Sequence, residues 1–189
     1  MNLQTTRQIL RASKPCADGW AKLLKNLPTD NRYKTPILFS HILKVNGLYD
    51  TLWALRSVMP EQERERDREA RLLACEYAQD VLYIFEAKYR DNYFPRMCLE
   101  VARKFALGQA TEEDLLISNR VARGVEKAIA KVAPVNVVWS AAAAAAGACH
   151  LYASWAALEA YASAWAATSN DESTKQEAQF RARFCTHNE

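Results

Sequence analysis

Glycine is scarce in this chain. Five of 189 residues are glycine, too few to supply the tight turns of a hairpin-rich fold, and the scarcity argues for helices. A glycine-rich run is also missing, so no phosphate-cradling loop can be read. Charge of one sign is not in excess: 25 basic against 22 acidic side chains leave a net +3. Nucleic-acid binding is therefore not expected, because phosphate contacts need a concentrated basic face. The start, MNLQTTRQIL, contains no apolar signal core, and export by that route is not expected.

Catalytic and metal signatures are missing too. The five cysteines (Cys16, Cys75, Cys98, Cys149, Cys185) and three histidines (His41, His150, His187) form no CxxC, HxxxH or HExxH spacing. Cys149-His150 and Cys185-Thr186-His187 are half-pairs with no second half, so no metal site is expected. No GxSxG elbow occurs. The sequence points to no catalytic residue and no cofactor, hence to a protein that is not an enzyme. Scattered, odd-numbered cysteines suit reduced thiols in a cytoplasm.

What the chain has is alanine and tryptophan. Pro134 to Ala167 reads PVNVVWSAAAAAAGACHLYASWAALEAYASAWAA. Alanine is the best helix former, and no proline follows Pro134, so the stretch predicts one helix about 50 Å long. Leu151, Trp155, Leu158, Tyr161 or Ala162, and Trp165 recur every three or four positions. Ala141 to Ala146 make a smooth segment that neighbouring helices can approach. Weak apolarity and the interruptions at His150 and Glu159 exclude a membrane span. A helix of that length favours a homo-oligomer.

The remaining chain also reads as helix. Short helices are expected over residues 3–12 and after Pro15, with Cys16, Trp20 and Leu23 or Leu24 on one face and Pro28 as the end. Thr35-Pro36 predicts a helix start and Asn46-Gly47 a left-handed stop. Residues 48–58 form the next helix. EQERERDREAR, residues 61–71, carries five acids and four arginines and reads as a solvated segment with i,i+3 ion pairs. It continues into a central apolar helix through Tyr89. Further helices are expected from Pro95 to a stop at Gly108, from Thr111, where Asp114 has capping-box spacing, to Val132, and from Thr174 to Phe184. No strand is expected. The fold class is all-α: a multi-helix bundle with one long Ala/Trp-rich C-terminal helix, divided into a short helical module at 1–46 and a bundle at 47–189.

Two groups of side chains are candidates for binding. Asp50, Trp53 and Arg56 follow i, i+3, i+6. Arg96, Glu100 and Arg103 follow i, i+4, i+7, and Glu86 projects from the central helix. One reading is a structural ion-pair network using Asp50, Glu86 and Glu100. The other is an arginine pocket walled by Trp53 that meets an anion or an acidic surface. The aromatic stripe likewise reads either as core or as a partly exposed contact face of Trp139, Trp155, Tyr161 and Trp165.

The motifs PCADGW, NGLYDTLWALR, RLLACEYAQDVLYIFE and PRMCLEVARKFALGQAT, followed by the Ala/Trp tract, resemble a family of alanine-rich helical proteins of bacteriophages and bacteria. Some members are labelled "putative immunity protein". The resemblance spans roughly residues 14 to 167. The positions that recur in the family fall here on Asp50, Trp53, Arg56, Cys75, Glu86, Pro95, Arg96, Glu100, Ala102 and Arg103. The tract departs from the most repetitive members, with tryptophan only at 139, 155 and 165. The resemblance implies no catalytic set. It implies a binding protein that neutralises a toxin, or, for a phage member acting in the host cytoplasm, a host-defence protein, by occlusion. The alternative is a helical sponge for a small anionic ligand such as a nucleotide signal.

Overall fold

A computed structural model describes residues 2–28, 33–132, 137–168 and 172–185. Ten α-helices account for most of them, and the all-α multi-helix architecture is the one expected. The chain divides into two compact units, Met1–Arg66 with Glu177–Glu189, and Asp67–Gln176.

The first unit contains the small departure from all-helix. Strand β1 (Gln4–Thr6) pairs antiparallel with β2 (Pro36–Leu38). Thr35-Pro36 therefore opens a strand, not a helix. A proline at the end of a two-strand ribbon costs no ladder bond on its outer side, and the local start signal yields to pairing. Leu3 extends the ladder: its carbonyl accepts from the Phe39 amide at 3.0 Å and its amide donates to the Phe184 carbonyl at 3.4 Å. Four helices lie in this unit with the strands: α1 (Arg7–Ala12), α2 (Ala17–Asn26), α3 (Phe39–Asn46) and α4 (Leu48–Ala54). Gly47, at φ 87°, ends α3 and starts α4, the left-handed position that Asn46-Gly47 predicts. Leu3, Phe39, Leu52, Leu55, Phe180 and Phe184 form its buried centre.

The second unit is built on α5 (Glu63–Lys88), whose residues from Asp67 onward belong to it. Leu73, Tyr77, Val81, Leu82 and Phe85 on this helix are fully buried. The solvated reading of residues 61–71 fails at two arginines. Arg66, in the first unit, is 8% exposed and donates to the Leu55 carbonyl, and Arg71, in the second, is 2% exposed. Helices α6 (Phe94–Ala106) and α7 (Glu112–Val132) follow. Thr111 caps α7 reciprocally: its Oγ1 accepts from the Asp114 amide at 3.1 Å, while Asp114 Oδ2 accepts from the Thr111 amide at 2.8 Å.

The Ala/Trp stretch is two helices rather than one. Helix α8 (Val137–Ala148) and α9 (Ala153–Ala167) are joined by a four-residue turn and pack along each other. The expected start at Pro134 lies outside the described residues. Ala141 to Ala146 are all buried, as a smooth contact face requires. A Cβ on Gly147 would stand 2.8 Å from Glu159 Cβ and 3.0 Å from the Ala160 nitrogen, so the two backbones meet where the side chain vanishes. Neither glycine nor proline marks residues 149–152. The break is stabilised from α5: Arg71 donates to the carbonyls of Ala148, His150 and Leu151 at 3.2, 2.6 and 2.6 Å, taking up acceptors that a helix end leaves unpaired. The break also removes the length argument for a homo-oligomer. No described helix is long and apolar enough to cross a membrane.

The last helix, α10 (Glu172–Phe184), contributes to each unit by its own residues. Phe180 and Phe184 meet in the first with ring centres 4.8 Å apart and planes tilted by 46°. In the second, the Gln176 carbonyl accepts from the Tyr77 hydroxyl at 2.9 Å.

Candidate functional site

The first unit contains a pocket of about 140 Å³ between α2, α3 and α4. Trp20, Tyr49 and Trp53 give it aromatic walls, and Asp50 and Asn46 its polar groups. These side chains meet because α2 presents Gly19 to α4. A Cβ there would stand 2.9 Å from Asp50 Oδ2 and 3.0 Å from Cys16 Sγ. Asn46 Nδ2 donates to the Gly19 carbonyl at 2.9 Å and to Asp50 Oδ2 at 3.1 Å. Both acceptors fix the amide's orientation, and Asn46 Oδ1 faces away, buried and without a hydrogen-bond partner among the described residues.

Asp50 thus makes no ion pair among the described residues; its partner is the Asn46 amide. Arg56 folds back on its own turn, Nε donating to the Trp53 carbonyl at 2.7 Å, with the guanidinium 4.5 Å over the Trp53 ring. Burial pushes the Arg56 pKa below its ordinary value, and Tyr49 opposes the shift.

In the second unit the structure joins Arg96 to Glu86, not to Glu100. Arg96 Nε and Nη2 donate to the two Glu86 oxygens at 2.7 Å each. This bidentate bond is the chief cause that raises the Arg96 pKa, with Glu100 a weaker through-space contributor. Glu100 and Arg103 are both exposed. The arginine fork that could meet an external anion is occupied by the protein's own carboxylate.

The aromatic stripe separates by exposure. Trp139 and Tyr161 are half-buried, Tyr161 with its ring 5.9 Å from that of Tyr77. Trp155 is 43% exposed, Trp165 47% and Tyr152, just before α9, 64%. Glu159 and Ala162 continue the outward stripe of α9 between the two tryptophans. Arg123 on α7 clamps Glu159, Nη2 donating to both oxygens at 2.8 and 2.7 Å, while its Nη1 donates to Glu126 at 2.9 Å. Burial depresses the Arg123 pKa, but the bonds to Glu159 and Glu126 outweigh it and the net shift is upward. A charged, hydrogen-bonded tie thus joins α7 to the tryptophan-bearing helix.

The thiols are structural in their surroundings. Cys149 Sγ donates to the Cys98 carbonyl and Cys98 Sγ to the Ser118 carbonyl, both at 3.2 Å. The hydrogen bond with Cys98 and burial push the Cys149 thiol well up, away from thiolate chemistry. No group of three or more His, Cys, Asp or Glu able to hold a metal ion occurs among the described residues. His187 lies outside them.

Sequence reading missed Arg66, Arg71 and the Asn46–Asp50 contact. Arg71 carries a faint signal, the last arginine of a charged run on the first turn of an apolar one. Asn46 carried its helix-stop signal, which hid its side chain's second use. Comparison with known proteins gives no match: no family model, curated protein or solved structure matches the chain.

Proposed function

We propose that this chain is a non-enzymatic cytoplasmic binding protein that neutralises another protein, a toxin or a host-defence component, by occluding it with the outward face of α9. The exposure of Trp155 and Trp165 on that face carries the reading. Two indoles partly open to solvent on one helix, with exposed Tyr152 just before it, give that face large apolar groups a partner can cover. Tryptophan, tyrosine and arginine are also the residues most often found as binding hot spots. The tie through Glu159 supports a preformed contact surface, which spares a partner the cost of ordering it. The resemblance to alanine-rich helical proteins with an immunity label points the same way. Sequestration of a small anionic ligand has less support, because Glu86 fills the Arg96 fork.

The test is a photo-crosslinking residue at position 155 in cells that contain the partner, followed by affinity measurement on the captured protein. Trp155→Ala with Trp165→Ala is expected to keep the helical signal and melting temperature while weakening that affinity by about 2 kcal/mol or more. A folded double variant with full affinity overturns the reading.

A further inference from the structure

We propose that the pocket between α2, α3 and α4 binds an alkylammonium group, that of a free primary amine or of a lysine side chain. Nothing in this assignment depends on the face of α9.

The pocket's formal charge is of one sign. Asp50 is the one ionisable carboxylate among the lining residues, and no arginine, lysine or histidine joins it there. Its Oδ2 is steadied by Asn46 Nδ2 at 3.1 Å, a neutral donor that leaves the negative charge uncancelled. Asn46 adds no charge of its own, and its Nδ2 is used up on the Gly19 carbonyl and Asp50 Oδ2. Because both Nδ2 bonds run to acceptors, exchanging the amide's O and N would set two pairs of acceptors against each other. A carboxylate whose charge no lining cation cancels selects a ligand head that carries N–H groups and positive charge, and disfavours an anion.

The walls select an alkyl stem behind that head. Trp20, Tyr49 and Trp53 line it together with the buried Leu23 and Ile42. Indole and phenol faces attract a cation, and the alkyl stem gains apolar burial. Arg56 already lies 4.5 Å over the Trp53 ring and is not among the lining residues. That neighbouring charge weakens the pull of the Trp53 ring on a second cation, so the carboxylate supplies most of the attraction. A volume of about 140 Å³ is on the scale of the roughly 150 Å³ apolar cavity that accepts a benzene-sized guest, and it accommodates a four-carbon amine. Gly19 completes the fit: a side chain there would collide with Asp50 Oδ2 and Cys16 Sγ.

The test is a titration of the full chain followed by NMR, with the indole N–H signals of Trp20 and Trp53 as reporters. n-Butylammonium and its neutral counterpart 1-butanol are compared, and Asp50→Asn is titrated alongside. The expected result is saturable movement of both indole signals, about tenfold tighter for butylammonium than for butanol, and a loss of about tenfold in Asp50→Asn. A lysine-containing peptide and its acetyl-lysine form distinguish the sources. Tighter binding of the unmodified peptide than of butylammonium assigns the pocket to a protein partner, and the reverse order to a free amine. Equal affinity for butanol and butylammonium, or no saturable shift with the amine, overturns the proposal without requiring any variant to fold. Unchanged amine affinity in a folded Asp50→Asn overturns it as well.

Discussion

Arg71 Nη2 donates to the Leu151 carbonyl at 2.6 Å from a position 2% exposed. The same guanidinium serves the carbonyls of Ala148 and His150, so one side chain of α5 holds the turn that separates α8 from α9. Burial lowers its pKa, opposed by weaker contributions from Cys75, Cys149 and Asp67. The carbonyl dipoles at the end of α8 compensate the buried charge.

Replacing Arg71 with methionine would leave the buried Ala148 carbonyl and the partly buried carbonyls of His150 and Leu151 without this donor. A loss of about 3 kcal/mol or more is expected, seen as a fall of roughly 6–12 °C in melting temperature. Arg71→Lys should fall between wild type and Arg71→Met, because an ammonium is a point donor without the planar fork. An unchanged melting curve for Arg71→Met would show that the turn forms without the arginine.

Two glycines should respond to alanine with opposite signs. At Gly147 the new methyl would press on Glu159 and the α9 backbone at 2.8–3.2 Å, at a cost of about 1–3 kcal/mol. At Gly124, within α7, a Cβ meets nothing within 4 Å. Gly124→Ala should therefore stabilise by about 0.5–1 kcal/mol through helix propensity. Denaturant midpoints of the two variants decide the matter.

Asp114 supplies a pH dependence whose sign is fixed. Hydrogen bonds from the Thr111 hydroxyl and then the Thr111 amide hold its carboxyl below the ordinary aspartate value. A folded-state pKa depressed below the unfolded one contributes stability that is present above the unfolded value, about 3.9. That stability is lost as pH falls through the folded value. The gap in denaturation midpoint between wild type and Asp114→Asn should stay constant near neutrality and narrow below about pH 4. A gap that widens in acid would contradict the capping role.

How much of this was legible in the sequence depends on the range of the forces involved. Local signals read well: Gly47 and Gly108 at positive φ, the Thr111–Asp114 box and the buried alanines all follow from near neighbours. The break at 149–152 did not, because its cause is an arginine 80 positions away from Leu151 in sequence, and local alanine propensity argues for continuity. The strand at Pro36 was hidden for the same reason, its partner lying at Gln4–Thr6. At the candidate sites, helical spacing placed Arg96 and Glu100 on one face, yet Arg96 took a bidentate bond from α5 in preference to a weaker one along its own helix. Spacing gave the pocket's Asp50 and Trp53. It could not give Trp20 or Gly19, which arrive from another helix.

The tie between Arg123 and Glu159 links α7 to the helix that displays Trp155 and Trp165. Glu159 is 37% exposed at its side chain and Arg123 29%, so solvent screens part of their attraction and a full buried-pair energy does not apply. A double-mutant cycle of Arg123→Met and Glu159→Gln should return a coupling of about 0.5–1 kcal/mol. The coupling should shrink as salt is raised, because the pair is partly open to counterions. Both single variants should also broaden the indole signals of Trp155 and Trp165, since the face they occupy loses its anchor. Sharp, unshifted indole signals in Glu159→Gln would mean that helix packing alone, through Gly147 and the alanine face of α8, holds α9 in place.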